Sequence, residues 1–186
     1  NYTLFAPHDV PALIEFMGGN DAMAAFLDDI FDNGIYYVGD EFSMHAPYMY
    51  NLCGMPWKTQ RRVYDIVNTY YLPQPSGLPG NDDCGQLSAW YLFSAMGFYP
   101  MCPGSTEYQL GVPCLPEIIL HLPNGRDLRI VCENFGSGNC YVQSVTLNGK
   151  ALERPAIEHA DILRGGELRF SVADTPSETC FTSKSR

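Results

Sequence analysis

Two adjacent carboxylates follow a turn-rich segment and come directly before an apolar run with helical periodicity. Residues 78–80 read Leu-Pro-Gly, Asp82 and Asp83 follow, and the helix-like pattern begins near Gln86. At a helix start, backbone N–H groups and the positive end of the helix dipole favour the ionised form of an acid. Ionised acids on a loop that faces a cleft can bind a cation or take a proton from water. The alternative is that one of the pair only caps the helix.

The residue pattern in the first half of the chain predicts helices joined by loops rich in Gly and Pro. These elements would form the scaffold that positions the two acids. Apolar residues recur there at helical spacing, and Pro and Gly mark the ends of the runs. We predict helices over 11–17, from a cap at Asn20 or Asp21, over 56–71 and over 86–96. Helical pairs joined by long loops fit part of a helical toroid, in which sites lie on the loops.

The second half changes its period at about Tyr108. Asn-Gly and Gly-Gly turns separate short β-rich runs, which is a strong hairpin signal. The predicted strands cover 117–122, 128–132, 141–147 and 167–172. Helices followed by strands predict an α+β fold. We expect a helical part over 1–103, an antiparallel β-sheet or small sandwich over 104–175, and a loose tail over 176–186.

Composition excludes several classes of protein. The 186 residues are 46% hydrophobic and 17% charged, which is typical of a folded globular chain. The net charge of −10 disfavours nucleic acid as a partner, because phosphate binding needs clustered Lys and Arg. No run approaches the ~20 apolar residues of a membrane span. The chain begins at Asn1 without Met or a basic leader, so we interpret it as a piece of a longer protein.

The seven cysteines are an odd number and include no CxxC pair, which disfavours a zinc site. Cys53, Cys84 and Cys102 lie in apolar or tight-turn contexts and are interpreted as buried thiols. Cys132 and Cys140 flank a predicted hairpin loop. We expect thiols there too, with a disulfide across the strands as the alternative.

One long stretch resembles a known family. Residues 80–91 read Gly-Asn-Asp-Asp-Cys-Gly-Gln-Leu-Ser-Ala-Trp-Tyr, and Ser-Ala-Met-Gly-Phe-Tyr-Pro follows at 94–100. This ordered pattern resembles the C-terminal part of glycoside hydrolase family 92 α-mannosidases, and weaker likeness at 142–150 and 161–166 extends it over nearly the whole chain. The resemblance implies part of an (α/α)6 toroid followed by β structure. It also implies calcium-dependent, inverting exo-hydrolysis of α-mannosides in mannose-containing glycans, outside the cell or in the periplasm.

In that family a carboxylate of this loop activates water. The resemblance therefore implies that Asp82 and Asp83 are the water-activating and water-positioning pair, with Asp83 as the better base. Oxygen-rich side chains suit Ca²⁺, which takes six to eight oxygen ligands. The candidates for metal ligands are Asp82, Glu41 and Asn51.

Residues 39–48 resemble the family's Gly-Asn-Glu-Pro-Ser-His-His-x-Pro-Tyr segment. The resemblance assigns Glu41 to binding sugar hydroxyls and His45 to the same pocket. Three positions of this segment depart from the family pattern: Asp40 stands for Asn, Phe42 for Pro and Met44 for His. Because these departures lie in a sugar- or metal-contacting loop, they bear on affinity and specificity.

Two further motifs carry candidate substrate contacts. Residues 5–9 resemble the family's aromatic-x-Pro-His-Asp segment, which nominates His8 and Asp9, although taken alone they fit a helix cap. Trp57 lies in Gly-Met-Pro-Trp-Lys-Thr-Gln, another family-like stretch. It could stack on a sugar face or belong to the core.

The predicted active site contains candidates for the general base but none for the general acid. An inverting glycosidase needs a general acid as well as a base, with the two carboxyl groups roughly 6.5–9.5 Å apart. The family's acid is a Glu expected before Asn1, so this chain alone is expected to be inactive and to need the N-terminal remainder of its parent protein. The alternative is a non-catalytic carbohydrate-binding or structural α+β module, in which the acidic loop caps a helix.

Overall fold

The computed structural model describes residues 2–181, and the first half of the chain is helical. The helices are α1 (Val10–Phe16), α2 (Asn20–Asp32), α3 (Met49–Leu52), α4 (Pro56–Tyr70) and α5 (Gln86–Met96). The four long predicted helices are confirmed, and α5 has the predicted bounds because Gly97 ends it with φ 90°. The prediction that Asn20 or Asp21 caps α2 is wrong, because Gly19 occupies the N-cap and Asn20 is already helical.

The second half contains the strands. They are β1 (Phe98–Tyr99), β2 (Glu107–Leu110), β3 (Glu117–His121), β4 (Asp127–Glu133), β5 (Tyr141–Leu147), β6 (Lys150–Ala151), β7 (Ala156–Glu158) and β8 (Gly166–Ala173), with helix α6 (His159–Arg164) before β8. One sheet has the order β1-β2-β7 and the other the order β3-β4-β8-β5-β6. Helices followed by sheets confirm the α+β class.

Strand β8 corrects the expected purely antiparallel arrangement. It pairs antiparallel with β5 but parallel with β4. The reason is topological, because a strand that inserts between two strands of opposite direction must be parallel to one of them. Its alternate residues Leu168, Phe170 and Val172 are buried, as expected for a central strand.

The insertion of β8 also separates β4 from β5, so these two strands do not form the predicted hairpin. Cys132 and Cys140 therefore do not face each other across a paired ladder. All seven cysteines are free thiols, and both of these are buried. The alternative of a disulfide between them is not realised. Cys53 is buried as expected, but Cys84 is exposed and Cys102 is half-buried, so the prediction of buried thiols is wrong for those two.

Two apolar cores meet through buried polar side chains. One core lies among the helices and includes Trp90, and the other lies on the sheets and includes Phe170. Between them, the side-chain oxygen of Gln60 accepts a hydrogen bond from Val142 N at 2.9 Å. Strand β1 lies before the expected domain boundary at residue 103, but it pairs with β2, which lies after that boundary. The helical part and the sheets are thus in direct contact.

The end of the chain and its helices add two observations. Cys180 and Phe181 pack against the sheet core, whereas residues 182–186 of the expected loose tail lie outside the described residues. Across residues 2–181, every helix is too short or too polar to cross a membrane.

Candidate active site

Asp82 and Asp83 lie directly before α5, where the sequence places them. A 3₁₀ turn covers Asp83–Gly85, and Gly85 N donates to the Asp82 carbonyl oxygen at 2.6 Å. Cys84 and Gly85 both have left-handed backbone conformations, with φ of 54° and 77°. This tight reversal, which we call the Asp82 loop (residues 78–85), leaves Asp83 exposed and Asp82 partly exposed.

Both oxygens of the Asp82 carboxylate accept hydrogen bonds from Ser88. Ser88 N donates to Oδ1 at 2.9 Å, and Ser88 Oγ donates to Oδ2 at 2.5 Å. These two donors, the hydroxyl first, lower the pKa of Asp82 below its ordinary value. Asp82 therefore caps the third residue of α5 from six positions upstream, and its carboxylate is ionised at neutral pH.

The Asp82 loop touches the Glu41 loop (residues 37–45) through the backbone. A Cβ on Gly80 would lie 2.8 Å from the carbonyl oxygen of Gly39, and a Cβ on Gly39 would lie 2.8 Å from the carbonyl oxygen of Pro79. Neither glycine has a positive φ, so any residue could adopt these conformations. The contact requires glycine for space, because only bare backbones can approach so closely.

Side chains reinforce this contact. The indole Nε1 of Trp90, on α5, donates to the carbonyl oxygen of Met44 at 2.8 Å. The hydroxyl of Tyr71 donates to the carbonyl oxygen of Leu87 at 3.2 Å. The helix that follows the two acids is therefore tied to the Glu41 loop and to the end of α4.

Glu41 begins a short 3₁₀ turn over Glu41–Ser43. Its Oε1 atom is enclosed by the protein and receives no hydrogen bond from the described residues. Leaving an enclosed acceptor without a donor costs about 1–3 kcal/mol, and more for a charged group. Among the predicted site residues of the two loops, Glu41 is the one whose surroundings most need completion by a ligand or by another part of the protein.

His45 is only 4% exposed and lies beneath the site. Its Nε2 donates to the carbonyl oxygen of Leu4 at 2.7 Å, which ties the N-terminal segment to the Glu41 loop. Burial lowers the pKa of His45, and the Leu4 carbonyl offsets only part of this effect. His45 is therefore neutral at pH 7, with its proton on Nε2.

Three further residues were predicted to contact substrate. Asp9 caps α1, since its Oδ1 accepts from Ala12 N at 3.1 Å, and His8 beside it is exposed. Trp57, near the start of α4, lines a depression of about 300 Å³ together with Arg61 and Tyr141. That depression includes neither Glu41 nor Asp82 in its lining.

Asn51 lies at the junction of the helices with the sheets. Its Nδ2 donates to the carbonyl oxygen of Leu110 at 2.8 Å and to Oε1 of Gln109 at 3.2 Å. The described residues include no group of three or more His, Cys, Asp or Glu arranged to hold a metal ion. The described part of the chain therefore does not by itself supply the six to eight oxygen ligands of a calcium site.

The structure adds residues that the sequence interpretation missed. Gly39 and Gly80 act through a contact between distant positions, and Ser88 acts through bonds across six residues that depend on the turn between them. No local pattern reveals either contact. An exposed aromatic cluster also lies beside Glu41, where the ring of Phe42 is 5.0 Å from that of Tyr2 and 5.1 Å from that of Phe5. The unusual Phe42 was the only signal for this cluster.

Glycoside hydrolases act through pairs of Asp or Glu carboxylates, and carboxylates on two docked loops are compatible with that requirement. Comparison with known proteins agrees: the sequence model of the Glycosyl hydrolase family 92 catalytic domain matches residues 1–174. The chain belongs to glycoside hydrolase family 92.

Three relatives illustrate the likeness. A family 92 α-mannosidase from Bacteroides thetaiotaomicron superposes with a TM-score of 0.89 at 37% identity, over 94% of this chain and 24% of that one. A family 92 inverting mannosidase from the same organism gives 0.88 at 34% identity, over 94% and 27%. An uncharacterized secreted glycosidase of Arthroderma benhamiae is 34% identical, over 93% of this chain and 23% of its own length. The chain thus spans about a quarter of each relative.

The contact between the two loops generates a prediction about Gly80. In the full protein, Gly80→Ala should lower the free energy of unfolding by about 1–3 kcal/mol, because its Cβ meets the backbone of Gly39. Gly136→Ala is the matched control, since its Cβ has 3.7 Å of clearance and its φ is not positive. The control should change stability by less than about 0.5 kcal/mol in denaturant unfolding. Equal stability of the two variants would contradict the close approach.

Proposed function

We propose that the full protein to which this chain belongs removes terminal α-linked mannose from glycans, with inversion at the anomeric carbon. This chain supplies the base side of the active site. The observation that carries the proposal is the docking of the Asp82 loop on the Glu41 loop, within a chain of family 92. The α-mannosidase from B. thetaiotaomicron has also been solved with mannoimidazole, which supports a mannose-like ligand.

The two acids of the loop suit different tasks. Asp83 is exposed, so its carboxylate can accept a proton from an attacking water. Asp82 is held through both oxygens by Ser88, which makes it a weaker base but a well-placed anion. We therefore assign proton abstraction to Asp83 and the positioning of water to Asp82.

Sugar binding is assigned to the facing loop. Glu41 is half-buried, and a carboxylate at such a position can accept hydrogen bonds from sugar hydroxyls. His45 supports this loop from beneath through Leu4, so its part in the pocket is to hold Glu41 in place. The substrate contacts assigned to His8, Asp9 and Trp57 stay predictions.

The leaving group of a glycoside departs more readily when the glycosidic oxygen is protonated in the transition state. A positioned general acid increases the rate by about 10²–10⁴-fold. No acid of this chain matches the family's proton donor, so we propose that another part of the full protein supplies it. Residues 1–186 alone are then expected to lack useful activity on natural mannosides.

We also propose an extracellular or periplasmic location, which is supported by the description of the A. benhamiae relative as secreted. The alternative of a non-catalytic module explains Asp82, since that residue caps α5. It leaves the exposed Asp83 and the unpartnered Glu41 without a role.

Charge-removing variants test the assignment of the two acids. In the full protein, Asp83→Asn should lower kcat on an α-linked mannobiose by about 10²–10⁴-fold, because the amide cannot take a proton. Asp82→Asn should also slow turnover, because an amide nitrogen cannot accept from Ser88. Asp174→Asn, at an exposed position after β8, is the control and should keep the wild-type rate. Near-normal turnover in both loop variants would exclude this assignment.

A calcium requirement is proposed for the full protein, with most ligands outside the described residues. Exhaustive chelation should then abolish hydrolysis, and added Ca²⁺ should restore it, because a chelator offers Ca²⁺ the oxygen ligands it needs and so removes it from the protein. Undiminished activity and thermal stability after chelation would rule the metal out.

A further inference from the structure

Ser88 binds the Asp82 carboxylate more tightly than helix capping requires. A cap needs only the bond from Ser88 N, which satisfies a free N–H group of the first turn. The hydroxyl adds a second bond, at 2.5 Å, to the other carboxylate oxygen. With both oxygens engaged, the carboxylate cannot rotate about its last bond without losing a donor.

The two hydrogen bonds between Ser88 and Asp82 close a strained turn. Asp82 and Ser88 are six residues apart, and the two consecutive left-handed residues Cys84 and Gly85 lie between them. A left-handed conformation costs a residue other than glycine about 1–2 kcal/mol. Asp83 belongs to the same closed segment, so its direction depends on how firmly the turn is held.

Ser88 is itself attached to a rigid frame. Its neighbour Leu87 is fully buried, and the carbonyl oxygen of Leu87 accepts from Tyr71. One turn further along α5, buried Trp90 donates to Met44 in the Glu41 loop. A side chain on this helix can therefore hold the Asp82 loop in register with the sugar-binding loop.

We propose that Ser88 is a positioning residue of the active site: its hydroxyl, together with its backbone N–H, holds the Asp82 carboxylate and thereby aims Asp83. The inference rests on the function proposed above. A purely structural Ser88 would contribute to stability alone, whereas a positioning Ser88 must affect kcat more than KM.

The test uses three variants of the full protein. Ser88→Ala removes the hydroxyl but keeps the N–H, so α5 stays capped, and Ser88→Thr restores a hydroxyl. Ser94→Ala is the matched control, because Ser94 is a buried serine of the same helix whose hydroxyl bonds Tyr48 at 2.9 Å, far along α5 from the loop. Two kinds of measurement are made: the kinetics on an α-linked mannobiose, which give kcat and KM, and the amide hydrogen exchange of residues 83–85.

Ser88→Ala should lower kcat about 10–100-fold with KM changed less than about threefold, since small misplacements of a catalytic group have effects of this size. Exchange at 83–85 should rise at least about tenfold, and Ser88→Thr should recover both. Ser94→Ala should leave both unchanged.

A Ser88→Ala protein with the wild-type kcat, or with unchanged exchange at 83–85, would overturn the proposal. Equal loss in Ser88→Ala and Ser88→Thr would do the same, because the hydroxyl would then be irrelevant. If the wild-type protein releases no mannose, the proposed function fails. The exchange data still decide in that case whether Ser88 holds the loop.

Discussion

The buried indole of Trp90 is the constraint on which the candidate site depends. Trp90 is 1% exposed, stacks on Tyr71 with ring centroids 5.7 Å apart, and donates to the carbonyl oxygen of Met44. An indole N–H buried without a partner would cost free energy, so the helix has one favourable position relative to Met44. Through this bond, α5 and the acids before it are placed against the loop that carries Glu41.

The rest of the molecule supports that placement from behind. Tyr48 follows the Glu41 loop and stacks on Tyr99 at 5.1 Å. Strand β1, which contains Tyr99, continues through β2 into the sheets. The sheets therefore brace the helical layer, while the candidate chemistry lies on the two loops. This arrangement is common in proteins, because binding and catalytic residues often lie on loops that a packed scaffold holds in position.

Local patterns predicted the elements well. The bounds of α5 follow from its apolar residues and from Gly97, and the acids fall at its start because turn residues precede them. The family resemblance was confirmed for the fold and the class of enzyme. The pairing of β8 with β4 was not predictable, because strand order is a non-local property that short-range patterns do not encode.

The candidate site was predicted in its residue types more than in its contacts. The sequence nominated Asp82, Asp83 and Glu41, and the structure brings their loops together. Nothing in the sequence indicated that Ser88 holds Asp82, because a hydrogen bond across six residues depends on the left-handed turn between them. Asn51 was nominated by its oxygen, yet its amide joins helix to sheet, a role that only the packed structure reveals.

The most direct measurement of the central claim is the anomeric form of the first product. If Asp83 activates water as proposed, that water attacks the face opposite the departing sugar and inverts the anomeric carbon. The full protein is mixed with an α-linked mannobiose, and proton NMR follows the released mannose before mutarotation. The account predicts that β-mannose accumulates first. Early accumulation of α-mannose, or no release of mannose at all, would contradict it.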